Sequence, residues 1–481
     1  METQSAVHAA AASFKLFKSP RNYYLYSVYL DSVIRISEEI FLYLKKESKS
    51  PLSPEAEAEL HMLRAQNALT PTMTNKIRHP AMDRLHDALE TRLGQLCLQV
   101  TQFCNLVCLY CAYANITDGT TQRNHSAKKM DLETAKRAVD FYYEHSWKRN
   151  KCAISFYGGE PLIAFDLIKE VILYAEKRFL GKKLTFNMTT NGTLLTEEMM
   201  DFLAAHEVAV MFSIDGPKKI HDNNRKRADG TGSFSAACEN LKKMWKKYED
   251  AGITSHLSVN MVLHPKNDLD DVFELFDDPF FANDIVVRGG RATEEYLEEK
   301  LEQKPEFFEK SAYQYFLCWL DLLNIVENVK VSPIFRTKVA GSEESINKLN
   351  DLMEGLPDEG APGGPCVPGE RRLFVNTDGD FFPCEKVSEL EDVLKIGNLS
   401  HGFDEEKAAA ILDVATLTAE KCRSCWAFRH CGVCARTCVK NGELSKEARL
   451  KNCGEQMNRT ADLIGAAILY QECKSVYTRG D

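Results

Sequence analysis

No run of about 18 consecutive apolar residues occurs in this 481-residue chain, which excludes a helix able to span a bilayer. The N-terminus, METQSAVHAAAASFKLFKSP, lacks the charged start, apolar block and cleavage site of a secretory signal. Basic charge is short as well. Lys and Arg number 60 against 70 Asp and Glu, a formal net charge of -10, whereas a general nucleic-acid binder carries a basic face. The expectation is a cytoplasmic protein with no membrane and no nucleic-acid partner. Hydrophobic residues at 44% and charged residues at 27%, without collagen-like, coiled-coil or disordered bias, describe an ordinary globular protein. Its length calls for two or three domains.

Cysteine is the residue in excess. Sixteen in a large chain without a signal read as metal ligands rather than a disulfide framework. Cys366, Cys384, Cys422, Cys425, Cys431, Cys434, Cys438 and Cys453 crowd the C-terminal end, and Cys104, Cys108 and Cys111 form a second group in CNLVCLYC. Cys97, Cys152, Cys238, Cys318 and Cys473 stand alone and read as small buried apolar residues.

Four stretches follow one another. Residues 1–95 form a small α+β unit. A strand pair through Tyr23 to Val33 turns at Leu30-Asp31-Ser32. A helix then begins at the capping Ser37 with an apolar stripe at Ile40, Phe41 and Leu44, and another at Ser53-Pro54 with Leu60, Leu63 and Leu69. No catalytic constellation is present there, so the unit's role is binding or support. Residues 96–290 alternate six apolar strands with amphipathic helices, which predicts an α/β fold built as a partial (β/α)6 TIM-like barrel. Chemistry in such folds sits at the C-terminal ends of strands. CNLVCLYC follows the first strand, GGEP the second, TTNG the third and SIDGP the fourth. Residues 291–365 are charged and mainly helical, a bridging segment. Residues 366–481 are loop-rich, with a hairpin at RRLFVNTDGDFFPC, where Asp378-Gly379 is the turn signal, and a terminal helix at MNRTADLIGAAILYQ. A region so poor in regular core relies on bound metal.

Three thiolates at CX3CX2C spacing with no fourth nearby do not match structural zinc, which takes four ligands in paired short loops. On a cubane iron–sulfur cluster three cysteines leave one iron free to bind something else. Cys104, Cys108 and Cys111, with Tyr110 as the intervening aromatic, resemble the radical S-adenosylmethionine (SAM) enzyme superfamily. In that family the free iron chelates the amino and carboxylate groups of SAM. Reductive cleavage then yields a 5'-deoxyadenosyl radical that takes hydrogen from the substrate. The resemblance implies that Gly158, Gly159, Glu160 and Pro161 meet the SAM amino group, where glycines let backbone approach a ligand closely. Thr190 and Asn191 correspond to the ribose-contacting strand end. Ser213, and Arg225 in HDNNR, lie near the SAM carboxylate, which a planar guanidinium matches. Asp215 is either a hydrogen-bonding or acid-base group or a turn former.

Eight C-terminal cysteines are enough for two four-ligand centres, either two zincs or two iron–sulfur clusters. The pattern from Cys366 through Gly379, Cys384 and CX2CX5C to Cys453 resembles the SPASM extension, which carries two auxiliary [4Fe-4S] clusters in enzymes that modify ribosomally made peptides. The resemblance assigns Cys422, Cys425, Cys431 and Cys453 to the outer cluster, and Cys366, Cys384 and a cysteine after Cys431 to the inner one. Here the chain departs from the usual CX3C, because position 435 is alanine and Cys434 and Cys438 are both candidates. The N-terminal unit resembles the winged-helix leader-recognition domains joined to such maturases, in which a leader adds as a strand to a sheet edge; the alternative is a packing cap. The implied activity is oxidative crosslinking of a cysteine-containing precursor peptide, with thioether formation foremost. Its cofactors are SAM and three [4Fe-4S] clusters, one SAM-binding and two auxiliary, served by an external electron donor such as ferredoxin or flavodoxin. Carbon–carbon crosslinking, epimerisation and sulfatase-type formylglycine formation are rivals, and a multi-zinc scaffold is the non-enzymatic one.

Overall fold

The computed structural model describes residues 14–48, 50–70, 74–111, 125–292, 301–326, 329, 331–348 and 355–477. It opens with an antiparallel sheet of β1 (Phe14–Lys18), β2 (Tyr23–Ser27) and β3 (Ser32–Ile36), in the order β1-β2-β3. β1 adds a strand to the expected pair. The turn lies at 28–31, because Ser32 already pairs with Ser27. Two helices follow, α1 (Glu38–Lys45) and α2 (Pro54–Ala65), each capped as anticipated: the Ser37 side chain accepts from Ile40 N and the Ser53 side chain from Ala56 N. Alternation along β2 buries both of its faces. Leu25 packs with Ile36, Ile40, Phe41, Leu60 and Leu63, while Tyr24, Tyr26 and Val28 pack against the C-terminal cysteine segment.

Six parallel strands form the core: β4 (Gln95–Thr101), β5 (Lys151–Gly158), β6 (Lys183–Thr190), β7 (Ala209–Ser213), β8 (Leu257–Leu263) and β9 (Val286–Arg291). Each pairs with the next in sequence. Leu96, Cys97, Leu98 and Val100 are all buried, as expected where helices cover one side of a parallel strand and core side chains the other. The first crossover helix, α3 (Leu132–Glu144), is amphipathic: Ala135, Ala138, Val139 and Tyr142 face inward at helical spacing, and the Asp131 side chain caps it by accepting from Thr134 N. The bridging segment holds α4 (Pro305–Leu322) and α5 (Pro333–Lys348). Among the described residues no helix is long and apolar enough to cross a membrane.

The predicted hairpin is present as β10 (Leu373–Val375) and β11 (Asp380–Phe382). Asn376 Oδ1 accepts from Asp378 N and Asp380 N, and Gly379 takes φ +84°. β10 runs parallel to β4 and hydrogen-bonds to it, so the C-terminal stretch continues the core sheet rather than hanging from it. The terminal helix α6 (Cys453–Tyr477) begins at the last clustered cysteine.

Candidate active site

The cysteine loop leaves the end of β4 and is gripped by each neighbouring strand end in turn. Gly159 N donates to Thr101 O at 3.0 Å and Glu160 N to Phe103 O at 2.9 Å. A Cβ on Gly158 would stand 1.9 Å from Thr101 O, and one on Gly159 2.2 Å from Phe103 O. The glycines of GGEP are therefore required by the chain's own backbone immediately before Cys104. Pro161 opens a buried 3-10 turn, Pro161–Ala164. Glu160 is buried and accepts from Leu162 N, Thr190 Oγ1 and Asn191 N, which staples GGEP to TTNG. Burial raises its carboxyl above the ordinary value against the pull of these donors.

Asn105, between the first two cysteines, connects the loop to the third strand end: its Oδ1 accepts from Asn191 Nδ2 at 2.8 Å and its Nδ2 donates to Thr193 Oγ1 at 2.9 Å. The sequence reading passed over this residue, although it is a lone polar side chain among apolar ones. Leu106–Cys108 pairs antiparallel with Arg225–Arg227, placing Arg225 opposite Cys108. Tyr110 OH donates to Asp215 and accepts from Arg225 Nη1 at 2.9 Å. Asp215 is 1% exposed and also accepts from Val262 N at 3.1 Å. Burial pushes its carboxyl up, opposed by the Arg225 charge and the Tyr110 hydrogen bond. Ser213 ends β7, buried beside Asn260.

His221 completes the frame. Its Nδ1 lies 3.3 Å from Asp215 N, which donates to it, so Nε2 carries the proton toward Ser233 Oγ at 2.9 Å, and Ser233 in turn donates to Arg225 O at 2.6 Å. Burial lowers the His221 pKa to about 3.

Cys104, Cys108 and Cys111 act on one another electrostatically, and burial pushes Cys104 up to about 12 and Cys108 to about 11, with Arg225 pulling the latter down. A metal would displace these protons. Cys111 Sγ lies 3.6 Å from His125 Nε2. Arg225 Nε is buried without a hydrogen bond, an open donor suited to a carboxylate.

The C-terminal cysteines fall into two groups. Cys425 feels Cys422, Cys431 and Cys453, and Cys431 feels Cys422 and Cys453, the four thiols that the resemblance assigns to the outer cluster. Cys384 feels Cys434, and Cys434 in turn acts on Cys438. Cys366 is exposed; just before it, Gly364 packs so closely on Val433 that a Cβ would lie 2.9 Å from the Val433 carbonyl. Among the described residues no three His, Cys, Asp or Glu side chains converge on a single-ion site.

Residues 98–278 match the model of the radical SAM superfamily. A cysteine-type anaerobic sulfatase-maturating enzyme of Clostridium perfringens is 25% identical over 356 residues, 71% of this chain and 88% of the relative. The radical SAM cyclopropyl synthase TigE of Paramaledivibacter caminithermalis is 28% identical over 355 residues, 70% of this chain and 66% of that one. Among solved structures, native anSMEcpe with bound AdoMet superposes with a TM-score of 0.56 at 21% identity, covering 78% of this chain and 99% of its own. Its complex with AdoMet and the Kp18Cys peptide gives 0.54 at 21% identity, covering 78% and 98%. Residues 98–278 thus match the radical SAM superfamily, and over 71% of its length the chain is similar to an anaerobic sulfatase-maturating enzyme.

Proposed function

We propose that this protein is a radical SAM peptide maturase that oxidises a cysteine-containing peptide, joining the cysteine sulfur to a carbon of another residue. The observation that supports the reading is the convergence of three strand-end motifs, GGEP, TTNG and SIDGP, and of Arg225 on one three-thiol loop. Cys104, Cys108 and Cys111 would hold the first cluster. Gly158, Gly159, Glu160, Pro161, Thr190, Asn191, Ser213 and Arg225 would border SAM. SAM and the first cluster would supply a hydrogen-abstracting carbon radical there, and auxiliary centres would supply an acceptor for the electron released when sulfur bonds to carbon.

The chain's residues do the positioning. Asp215, the expected catalytic carboxylate, is assigned to holding Tyr110 and, through it, Arg225. Glu160 fixes two strand ends to one another. Cys422, Cys425, Cys431 and Cys453 would hold the outer auxiliary cluster, and Cys366, Cys384, Cys434 and Cys438 the inner one. The N-terminal sheet would bind a leader as an added strand, since β1 and β3 are its outer strands. It is also seated on the cysteine segment, which would bring a bound peptide close to the auxiliary centres.

Likeness to a cysteine-type sulfatase-maturating enzyme favours a second reading, conversion of a substrate cysteine to formylglycine. Coexpression with a cysteine-containing precursor and tandem mass spectrometry separates the two. A crosslink removes two hydrogens and joins two residues, whereas formylglycine replaces a thiol by an aldehyde within one residue. Cys104→Ala, Cys108→Ala and Cys111→Ala are each expected to abolish either change, and surviving modification would refute both readings.

A further inference from the structure

We propose that Arg449 is a counter-cation shared by the two C-terminal cysteine groups and that it raises the reduction potential of both centres they hold. This rests on the reading that each group carries an iron–sulfur cluster.

Arg449 lies in the short helix Lys446–Lys451 and is 2% exposed, among the largest fully buried side chains of the molecule. Its Nε donates to Thr418 Oγ1 at 2.9 Å, and that oxygen lies 3.2 Å from Cys422 Sγ. Its charge also acts on Cys431, a second thiol of the outer group, and on Cys438 of the inner group. Nη1 is buried and makes no hydrogen bond. Among the described residues no carboxylate forms an ion pair with it.

The supporting helix spans the same gap. Ser445 N donates to Cys438 O at 2.7 Å at its start. Asn452 Nδ2 donates to Thr437 O at 3.2 Å at its end, one residue before Cys453. Arg449 is thereby fixed to inner-group backbone on one side and to an outer-group ligand on the other.

A buried guanidinium with no anion is a costly arrangement, and a protein retains one where an anion completes it. Two groups of thiols provide that anion once they are ionised on iron, because thiolate-ligated clusters are net negative. A fixed cation beside such a cluster favours the more negative, reduced form and so raises its potential. The potential also responds to hydrogen bonds at the sulfurs, and the Thr418 hydroxyl lies 3.2 Å from that of Cys422. Sitting between both groups, one cation would raise both potentials.

The test uses full-length protein reconstituted anaerobically in a background where Cys104, Cys108 and Cys111 are alanine, so that only auxiliary clusters report. Iron and sulfide content and an EPR-monitored redox titration are compared for the parent, Arg449→Lys and Arg449→Gln. The expected result is that Arg449→Gln moves both auxiliary potentials to more negative values while Arg449→Lys stays near the parent. If Arg449→Gln loses its clusters and Arg449→Lys keeps them, the requirement for charge is met as well. Loaded Arg449→Gln with either potential unmoved overturns the proposal, and so does equal cluster loss in both variants, which is the result for a packing role. A parent protein that holds no auxiliary iron refutes the cluster reading instead.

Discussion

Replacing Gly159 by alanine tests whether the strand ends exist to fix the cysteine loop. Gly159 is not among the positive-φ glycines, so the effect is steric. The added Cβ would stand 2.2 Å from Phe103 O and 2.8 Å from Gln102 O, and ordinary contact begins at 3.4 Å, so the two backbones must part by 1.2 Å (3.4 minus 2.2). Both hydrogen bonds between GGEP and the loop, at 3.0 and 2.9 Å, then exceed bonding distance. Each buried group left unpaired costs about 1–3 kcal/mol, so the two donors alone, Gly159 N and Glu160 N, cost roughly 2–6 kcal/mol. That is a large share of the about 5–15 kcal/mol by which domains are stable. Urea denaturation followed by tryptophan fluorescence is expected to move to lower urea, and the iron content of the reconstituted protein to fall. Gly290→Ala is the control, since its Cβ meets open space. A Gly159→Ala protein with both urea midpoint and iron content at wild-type values would show that the loop does not depend on this grip.

Asn105→Ala removes two side-chain hydrogen bonds to the third strand end and is expected to cost about 1–2 kcal/mol, read as a lower urea midpoint with weaker SAM binding by calorimetry; unchanged affinity would refute the link. His221 is held neutral, its pKa lowered by burial from 6.5 to about 3, so between these values the unfolded chain binds a proton that the folded chain does not. Its contribution is therefore intact above pH 6.5 and lost as pH falls, by roughly 1.4 kcal/mol per pH unit at most. The acid slope of stability should flatten in His221→Gln, and parallel slopes would contradict this. Arg429, between two cysteines of the outer group, donates to Val28 O at 2.7 Å and Tyr29 O at 2.9 Å. Arg429→Ala should hasten limited proteolysis of residues 14–65, and removal of iron by a chelator should do the same; equal cleavage rates in loaded and chelated protein would separate the N-terminal unit from the metal.

The six core strands were legible because each holds a short apolar run, buried almost throughout in β4 and alternating along β8, and the motifs at their ends because polar residues and glycines interrupt those runs. The reason for GGEP was not legible. The sequence reading expected a ligand to need those glycines, and the structure brings Thr101 and Phe103 against them instead. The outer cysteine group is what the SPASM resemblance implies, whereas the choice between Cys434 and Cys438 depends on side-chain direction in an irregular loop, where no period applies. β1, FKLFK, carries Lys15 and Lys18 and is partly exposed along its whole length, so no buried run marks it.

What joins the parts was the least visible. Glu472 accepts from Ser19, Asn22 and Tyr24, more than 440 residues away, and His430 meets Asp31 at 3.0 Å. Arg449 carries no local mark either, being one charge among several in KEARLK. Such contacts have no sequence period because both partners sit on irregular or terminal segments. They are also the contacts that tie the N-terminal sheet to the cysteine segment and one cysteine group to the other. A reading by motifs therefore recovers the separate centres, and the communication between them has to come from the packed structure.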